Sequence, residues 1–265
     1  RTNILLSPMS FLTKPLRWLS AISRFGATTS GGPNFAYDLC VRKITPEQRD
    51  AFDLSTWRVA FNGAEPVRAE TLERFADYFA PCGFRREAFY PCFGLAEATL
   101  IVSGGFAFKS PVVRAFKASA LATGQVVETD ATDETARLLV GCGQALPDEE
   151  IAIADPETHR RVPEGAVGEI WVRGPSIAQG YWQQPQVSEA TFNAYLADSG
   201  VGPFLRTGDL GFLQHGELFV TGRIKDLIIL HGVNVYPQDI EYTVQGAHAS
   251  LRPDSGAAFT VEHHG

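Results

Sequence analysis

The sequence predicts a mixed fold, α/β followed by β, and three observations carry that reading. Between Trp57 and Tyr90 the order is strand, turn, helix, strand, the spacing of a βαβ unit and so of a parallel sheet part. Beyond Val140 come short apolar runs separated by tight turns, which suit a small antiparallel β-barrel or sheet part. From Lys225 the pattern restarts with a hydrophobic strand and a helix opened by Pro237, the start of an α+β subdomain. The expected division is residues 1–140, 141–224 and 225–265, the first holding an inserted segment near 105–140.

The elements follow in order. Trp57–Phe61 reads as a strand ending in Asn62-Gly63-Ala64-Glu65-Pro66. A helix over about 68–80 places Leu72, Phe75 and Phe79 on one face, and Gly83 ends it. The short run Ala88-Phe89-Tyr90 leads into Pro91-Cys92-Phe93-Gly94-Leu95-Ala96-Glu97. Ligands on parallel sheets sit at the carboxyl ends of strands, where Gly63 and Phe93 fall. Residues 105–140 have mixed polarity and a soft acidic run, and read as an inserted segment lying on the surface. Ile151–Ala154, Gly168–Gly174 and Gly216–Val220 are the short strands of the β part. Leu227–Leu230 precedes Gly232 and the helix after Pro237, and Ala257–Val261 reads as a further strand. The chain opens on Arg1 and stops at Gly265, and is expected to be an internal piece of a longer protein.

Bulk properties exclude several classes. At 265 residues, 45% hydrophobic and 20% charged, the composition is that of a globular protein with a sizeable core. A formal net charge of -7, with no basic stripe, argues against nucleic-acid binding. The longest aliphatic run, Leu227–Leu230, is far too short for a transmembrane segment. Cys40, Cys82, Cys92 and Cys142 form no C-x-x-C pair, which points to a reduced, cytoplasmic protein without thiolate-bound metal.

Three runs carry chemistry. In Phe93-Gly94-Leu95-Ala96-Glu97 an aromatic ring at a strand end can stack on a purine, and Gly94 lets the backbone approach. Glu97, expected in the first turn of the next helix, can meet a phosphate only through a hard cation such as Mg²⁺. The same residues also read as a core Phe, a turn Gly and a dipole-satisfying Glu. Asp209, between Gly208 and Leu210-Gly211, can accept two hydrogen bonds from a ribose diol or cap its own turn. Arg223 can donate to the same sugar or serve as a structural ion-pair partner. Thr28–Gly32 mimics a phosphate loop but has no Lys at the P-loop spacing. His263-His264 mimics a metal pair but sits alone in sequence.

Taken together, these runs resemble the adenylate-forming superfamily of acyl-CoA synthetases, luciferases and peptide-synthetase adenylation domains. The matching pieces, in order, are Asn62–Pro66, Phe93–Glu97, Gly168–Gly174, Gln179–Trp182, Arg206–Gly211 and Gly222–Gly232. Pro8–Leu12, Pro15–Leu19, Ser30–Tyr37 and Gly94–Thr99 are similar to the fatty acyl-AMP ligase branch, as is the long stretch from Glu97 to Gly168. The resemblance implies a partial adenylate-forming fold in which Gly63, Ala64 and Glu65 line the adenine side and Phe93, followed by Gly94, stacks on the base. It further implies Mg²⁺ at Glu97, ribose hydroxyls at Asp209 and Arg223, a hinge at Lys225, and an acyl-tunnel wall that includes Asn34 and Phe35. The implied reaction joins a fatty acid to ATP, giving acyl-adenylate and pyrophosphate, and passes the acyl group to an acyl-carrier protein or polyketide synthase. Two departures bear on this. The family's phosphate loop should lie upstream of Arg1 and its catalytic Lys beyond Gly265, so the 265 residues alone are expected to be inactive. The alternatives are an acyl-CoA synthetase and a catalytically dead homologue serving as a binding or scaffold domain.

Overall fold

A computed structural model describes residues 2–230, 233–248, 250–252 and 255–261. The chain forms two compact units: 1–94 with 103–113 and 140–143, and 95–102 with 114–139 and 144–265.

The first unit begins with α1 (Pro8–Thr13), where Pro8 stands at the first turn and the Ser7 hydroxyl accepts from Ser10 N at 3.2 Å. α2 (Leu16–Phe25) buries Trp18, Leu19 and Ile22, and ends at Gly26 with φ 56°. β1 (Thr29–Gly31) leads to α3 (Asn34–Lys43) and to α4 (Pro46–Arg49), which Thr45 and Gln48 close with a capping box. β2 (Val59–Asn62), α5 (Ala69–Phe79) and β3 (Phe89–Phe93) supply the predicted strand–helix–strand, and β1 and β3 both run parallel to β2. β4 (Ser103–Gly104) adds antiparallel to β3. α5 buries Leu72, Phe75 and Phe79, as its periodicity requires, and Gly83 (φ 88°) stops the chain after one 3-10 turn. Trp57 lies just outside β2 rather than within it. Its backbone N–H closes a turn to Leu54 O at 3.0 Å before the strand begins, while its buried indole N–H donates to Ser30 O and Val59 O. Trp18, Tyr37, Trp57, Phe75, Phe84 and Phe89 meet at ring-centroid distances of 4.9–6.3 Å, mostly edge to face. Each such burial contributes roughly 1.5–3 kcal/mol, enough to fix the sheet against its helices.

The second unit holds β5 (Val113–Lys117), α6 (Ala118–Leu121), β6 (Ala136–Val140), β7 (Gln144–Ala145), β8 (Glu150–Ala154) and β9 (Gly168–Arg173). They are followed by α7 (Pro185–Phe192), β10 (Leu205–Gln214), β11 (Glu217–Arg223), β12 (Ile228–Leu230), β13 (Val233–Val235) and α8 (Pro237–Gly246). Four strands pair antiparallel in the order β11-β10-β9-β8. This is an open sheet and not the closed barrel expected from the strand series. β10 and β11 join through His215-Gly216, both at positive φ (53° and 80°), the twist a two-residue hairpin needs.

Two further expectations change. The inserted segment does not merely lie on the surface. Phe116 of β5, Leu121 of α6 and Leu139 of β6, all buried, pack with Phe212 and Phe219 of the β10–β11 hairpin, so three short elements each give one side chain to a shared apolar cluster. Ala257–Val261 forms no strand. Ala258 N is taken by the Glu241 carboxylate at 2.9 Å, a side-chain partner in place of a ladder. Gly232 and His263-His264 lie outside the described residues.

Candidate functional site

In the first unit the candidate residues gather at the end of β2. Gly63 passes so close to β3 that a Cβ there would stand 2.7 Å from Cys92 O, which excludes any larger residue. Ala64 follows with φ 70°, a left-handed conformation costly for a residue with a Cβ. The bend is held from behind by Asn34, only 1% exposed. Its Nδ2 donates to Pro66 O at 2.9 Å, and its Oδ1 accepts from Arg68 N at 3.1 Å and Asn62 Nδ2 at 3.2 Å. Glu65 reaches back to accept weakly from Phe35 N at 3.4 Å. Asn34, read from sequence as acyl-pocket wall, thus has its amide committed to shaping the 62–68 loop. Phe35, one residue on, is exposed. Phe93 is buried at the end of β3 opposite Ser103, and Gly94 follows it.

In the second unit a cleft of about 490 Å³ is lined by Glu97, Tyr181, Arg206, Gly208, Arg223 and Lys225, among others. Glu97 does not open a helix as expected. It sits in a single 3-10 turn, Ala96–Ala98, which Thr99 ends in the left-handed region. The turn is pinned by Glu97 O accepting from Ala178 N at 2.7 Å and by the Thr99 hydroxyl donating to Ser176 O at 2.5 Å. The Tyr181 hydroxyl donates to Glu97 Oε1 at 2.7 Å. Partial burial, and then the carboxylate beside it, push the Tyr181 phenol up to about 12, so it remains a donor at neutral pH.

Asp209 and Arg223 face each other across β10 and β11, with Arg223 Nε donating to Asp209 Oδ1 at 2.8 Å. Asp209 is 6% exposed, and burial pushes its carboxyl above the usual range although the Arg223 charge opposes this. Arg223 reaches the cleft; Asp209 stands behind it. Lys225 is exposed on the 3-10 turn Ile224–Asp226 directly after β11.

The turn that carries Asp209 is a bulge. β10 pairs Arg206 with Trp171 and then Leu210 with Glu169, so 207–209 stand opposite Ile170 alone. Gly208 takes φ 71° there. The displaced backbone is satisfied by side chains: Gly208 N donates to Glu169 Oε1 at 3.1 Å, and Asp209 N donates to Thr207 Oγ1 at 3.0 Å. Glu169 is 2% exposed and its Oε2 accepts from Arg206 Nη2 at 2.8 Å, Arg206 Nε at 3.0 Å and Trp171 Nε1 at 2.9 Å. In the sequence Glu169, Arg206 and Tyr181 stand within the matched runs with no role assigned to them. A lone carboxylate inside the buried strand Gly168–Arg173 was the signal, since such a charge needs a cationic partner elsewhere.

A magnesium ion shared with phosphates needs one or two protein carboxylates and keeps several waters. Glu97 fits that demand: Tyr181 holds one oxygen, and Oε2 has no protein partner among the described residues. No cluster of three acidic, His or Cys ligands occurs among the described residues, so a cage built from protein alone is not what this site offers.

The model of the AMP-binding enzyme family matches residues 1–182. The medium-chain-fatty-acid–[acyl-carrier-protein] ligase JamA of Moorena producens is 52% identical over 259 residues, 97% of this chain and 44% of that protein. The corresponding ligase TtuA of Teredinibacter turnerae is 41% identical over 262 residues, covering 96% of this chain and 41% of that protein. The structure of the fatty acyl-adenylate ligase from L. pneumophila in complex with acyl adenylate and pyrophosphate superposes with a TM-score of 0.80 at 47% identity, covering 97% of this chain and 45% of that one. The chain therefore spans under half the length of the relatives it matches. No helix among the described residues is long and apolar enough to cross a membrane.

Proposed function

Because the chain belongs to the AMP-binding enzyme family, we propose that the protein carrying it activates a fatty acid with ATP, releasing pyrophosphate, and passes the acyl group to an acyl-carrier protein or polyketide synthase. The observation that carries this reading is the cleft of the second unit, where a carboxylate and a guanidinium line one wall-to-wall space. Likeness to ligases named for fatty acids and acyl-carrier proteins supports the substrate and the acceptor.

In this reading the fatty carboxylate oxygen bonds to the α-phosphorus as the bond to the β-phosphate oxygen breaks. The nucleophile is already ionised at neutral pH, so no general base is required. The protein's task is positioning and charge placement. Asp209 and Arg223 hold the ribose hydroxyls, the bulge at Gly208 presenting them. Gly63, Ala64, Glu65, Phe93 and Gly94 serve the adenine, Asn34 keeping their loop in shape, and Phe35 stands at the acyl path. Glu97 holds Mg²⁺, with Tyr181 fixing the carboxylate, and the ion when bound supplies charge neutralisation at the phosphates. Lys225, at the end of β11, is the hinge from which residues 225–265 begin a small domain, after 1–140 and 141–224. The four singly placed cysteines fit a cytoplasmic protein.

The test is pyrophosphate release by the full-length protein. Release should require both ATP and a fatty acid and be followed by acylation of a carrier protein, while the 265-residue chain alone should release none. Asp209→Ala should lower fatty-acid-dependent release by at least a hundredfold. Acyl-CoA formation in place of carrier acylation, or release indifferent to Asp209, would overturn the assignment.

A further inference from the structure

We propose that Glu169 is a positioning residue for nucleotide binding: its carboxylate, at the wall of the cleft with both oxygens taken up by protein donors, fixes the bulge of β10 that presents the Asp209–Arg223 pair, and so sets affinity for the ribose hydroxyls. The inference rests on the ribose reading given above. Its basis is the way Glu169 spends its four acceptor contacts. Three go to Arg206 and Gly208, the residues that lead into the bulge, and the fourth goes to Trp171 on its own strand.

A bulge removes the ladder partners of the residues it displaces, so its shape is set by whatever satisfies them instead. Here the Gly208 N–H, left without a ladder partner, donates to a carboxylate oxygen at 3.1 Å. The other oxygen of the same carboxylate anchors Arg206, whose guanidinium also meets His159 Nε2 at 3.1 Å and Pro156 O at 3.3 Å and lies over the Trp171 ring. One buried side chain therefore ties both sides of the turn to the strand beneath it. Thr207 completes the bracing: it donates to Ile170 O at 2.7 Å while accepting from Asp209 N. Asp209 leaves this turn with its carboxylate opposite Arg223, and Arg223 extends into the cleft.

Glu169→Gln keeps the volume and loses the role. Any amide orientation turns an NH₂ toward Arg206 and Trp171, which are donors, or toward Gly208 N, also a donor. The bulge is then released at one of its two sides.

The experiment compares AMP with 2′,3′-dideoxy-AMP on the full-length protein, by calorimetry, for wild type and Glu169→Gln. Wild type should bind AMP far more tightly than the dideoxy analogue. Glu169→Gln should weaken AMP roughly tenfold, the loss of about one charge-assisted hydrogen bond's worth of placement, and leave the dideoxy analogue unchanged. An equal loss for both ligands would mean a merely structural carboxylate and would overturn the inference. If Glu169→Gln kept the full AMP preference, the inference would also fail while the ribose reading survived. If wild type showed no preference for AMP, the ribose reading itself would fail and this one with it. Should Glu169→Gln not fold, Arg206→Lys, which keeps the charge but not the two-pronged contact with Oε2, should show the same selective loss, and its absence would count against the proposal.

Discussion

Two loops of this molecule are held from behind by one buried side chain each, and the two braces differ in charge. In the first unit Asn34 holds the 62–68 loop. In the second, Glu169 holds the 206–209 turn. The difference follows from what each loop presents. The 62–68 loop offers a carbonyl at Pro66 and an N–H at Arg68, so its brace must donate and accept at once, which a neutral amide does. To its brace the 206–209 turn offers only donors, two from the Arg206 guanidinium and one from the Gly208 backbone, Trp171 of β9 adds an indole N–H, and an acceptor-only carboxylate answers all four. Residue type at a buried brace is dictated by the polarity of its partners, and exchanging the two chemistries would satisfy neither loop.

The largest effect that sharpens this contrast is expected at the neutral brace. Asn34→Leu conserves volume but leaves Pro66 O, Arg68 N and Asn62 Nδ2 without their partner in the interior. The cost should be about 2–4 kcal/mol, read as a lowered unfolding midpoint in urea at unchanged slope. Nothing in this brace titrates, so the loss should be the same at pH 5 and pH 8. A loss below about 1 kcal/mol would show that the loop is held by something other than Asn34.

Thr207→Val should have the next largest effect, about 1–2 kcal/mol, since it removes one donor to Ile170 O and one acceptor for Asp209 N while keeping the shape. Thr207→Ser should restore most of it. If Ser fails to rescue, the Thr methyl and not the hydroxyl is what the bulge requires, and the polar account of this turn is wrong.

Local elements were the legible part of this fold. The α5 helix, its Gly83 stop and the parallel strands around it follow from the 3.6-residue spacing of Leu72, Phe75 and Phe79 and from a glycine where positive φ is needed. Closure was not legible. Strand propensity around 151–154, 168–174 and 216–220 says that strands form, not whether their sheet curls shut, because that depends on strand tilt and stagger between distant residues. The inserted segment hid its inward face in mixed polarity: Phe116, Leu121 and Leu139 are spaced across β5, α6 and β6, so no single periodicity joins them. At the candidate site the short runs offered Glu97, Asp209 and Arg223 as candidates, because a charged residue beside a glycine stands out locally. The supports did not stand out. Tyr181 lies 84 positions from Glu97 and Arg206 37 from Glu169, and a sequence shows such pairs only as an isolated charge or phenol among apolar neighbours.

The smallest expected effect is at Asp209, and its sign separates it from both braces. Burial raises the Asp209 carboxyl, and the Arg223 charge only partly offsets this. A carboxylate whose folded pKa lies above its unfolded value favours folding while it is protonated. It loses that advantage as pH rises through the folded pKa, leaving a buried charge to be borne at neutral pH. The pair with Arg223 returns little, because the guanidinium side chain is 54% exposed and well screened. Asp209→Asn should therefore leave the thermal midpoint at pH 7 unchanged or slightly raised, by less than about 1 kcal/mol in stability. The gap between variant and wild type should close as pH falls into the range where wild-type Asp209 is itself neutral. A variant several degrees less stable at pH 7, by a margin that shrinks only in acid, would mean that Arg223 outweighs burial. Asp209 would then be a third brace and not a buried carboxylate borne at a cost to stability.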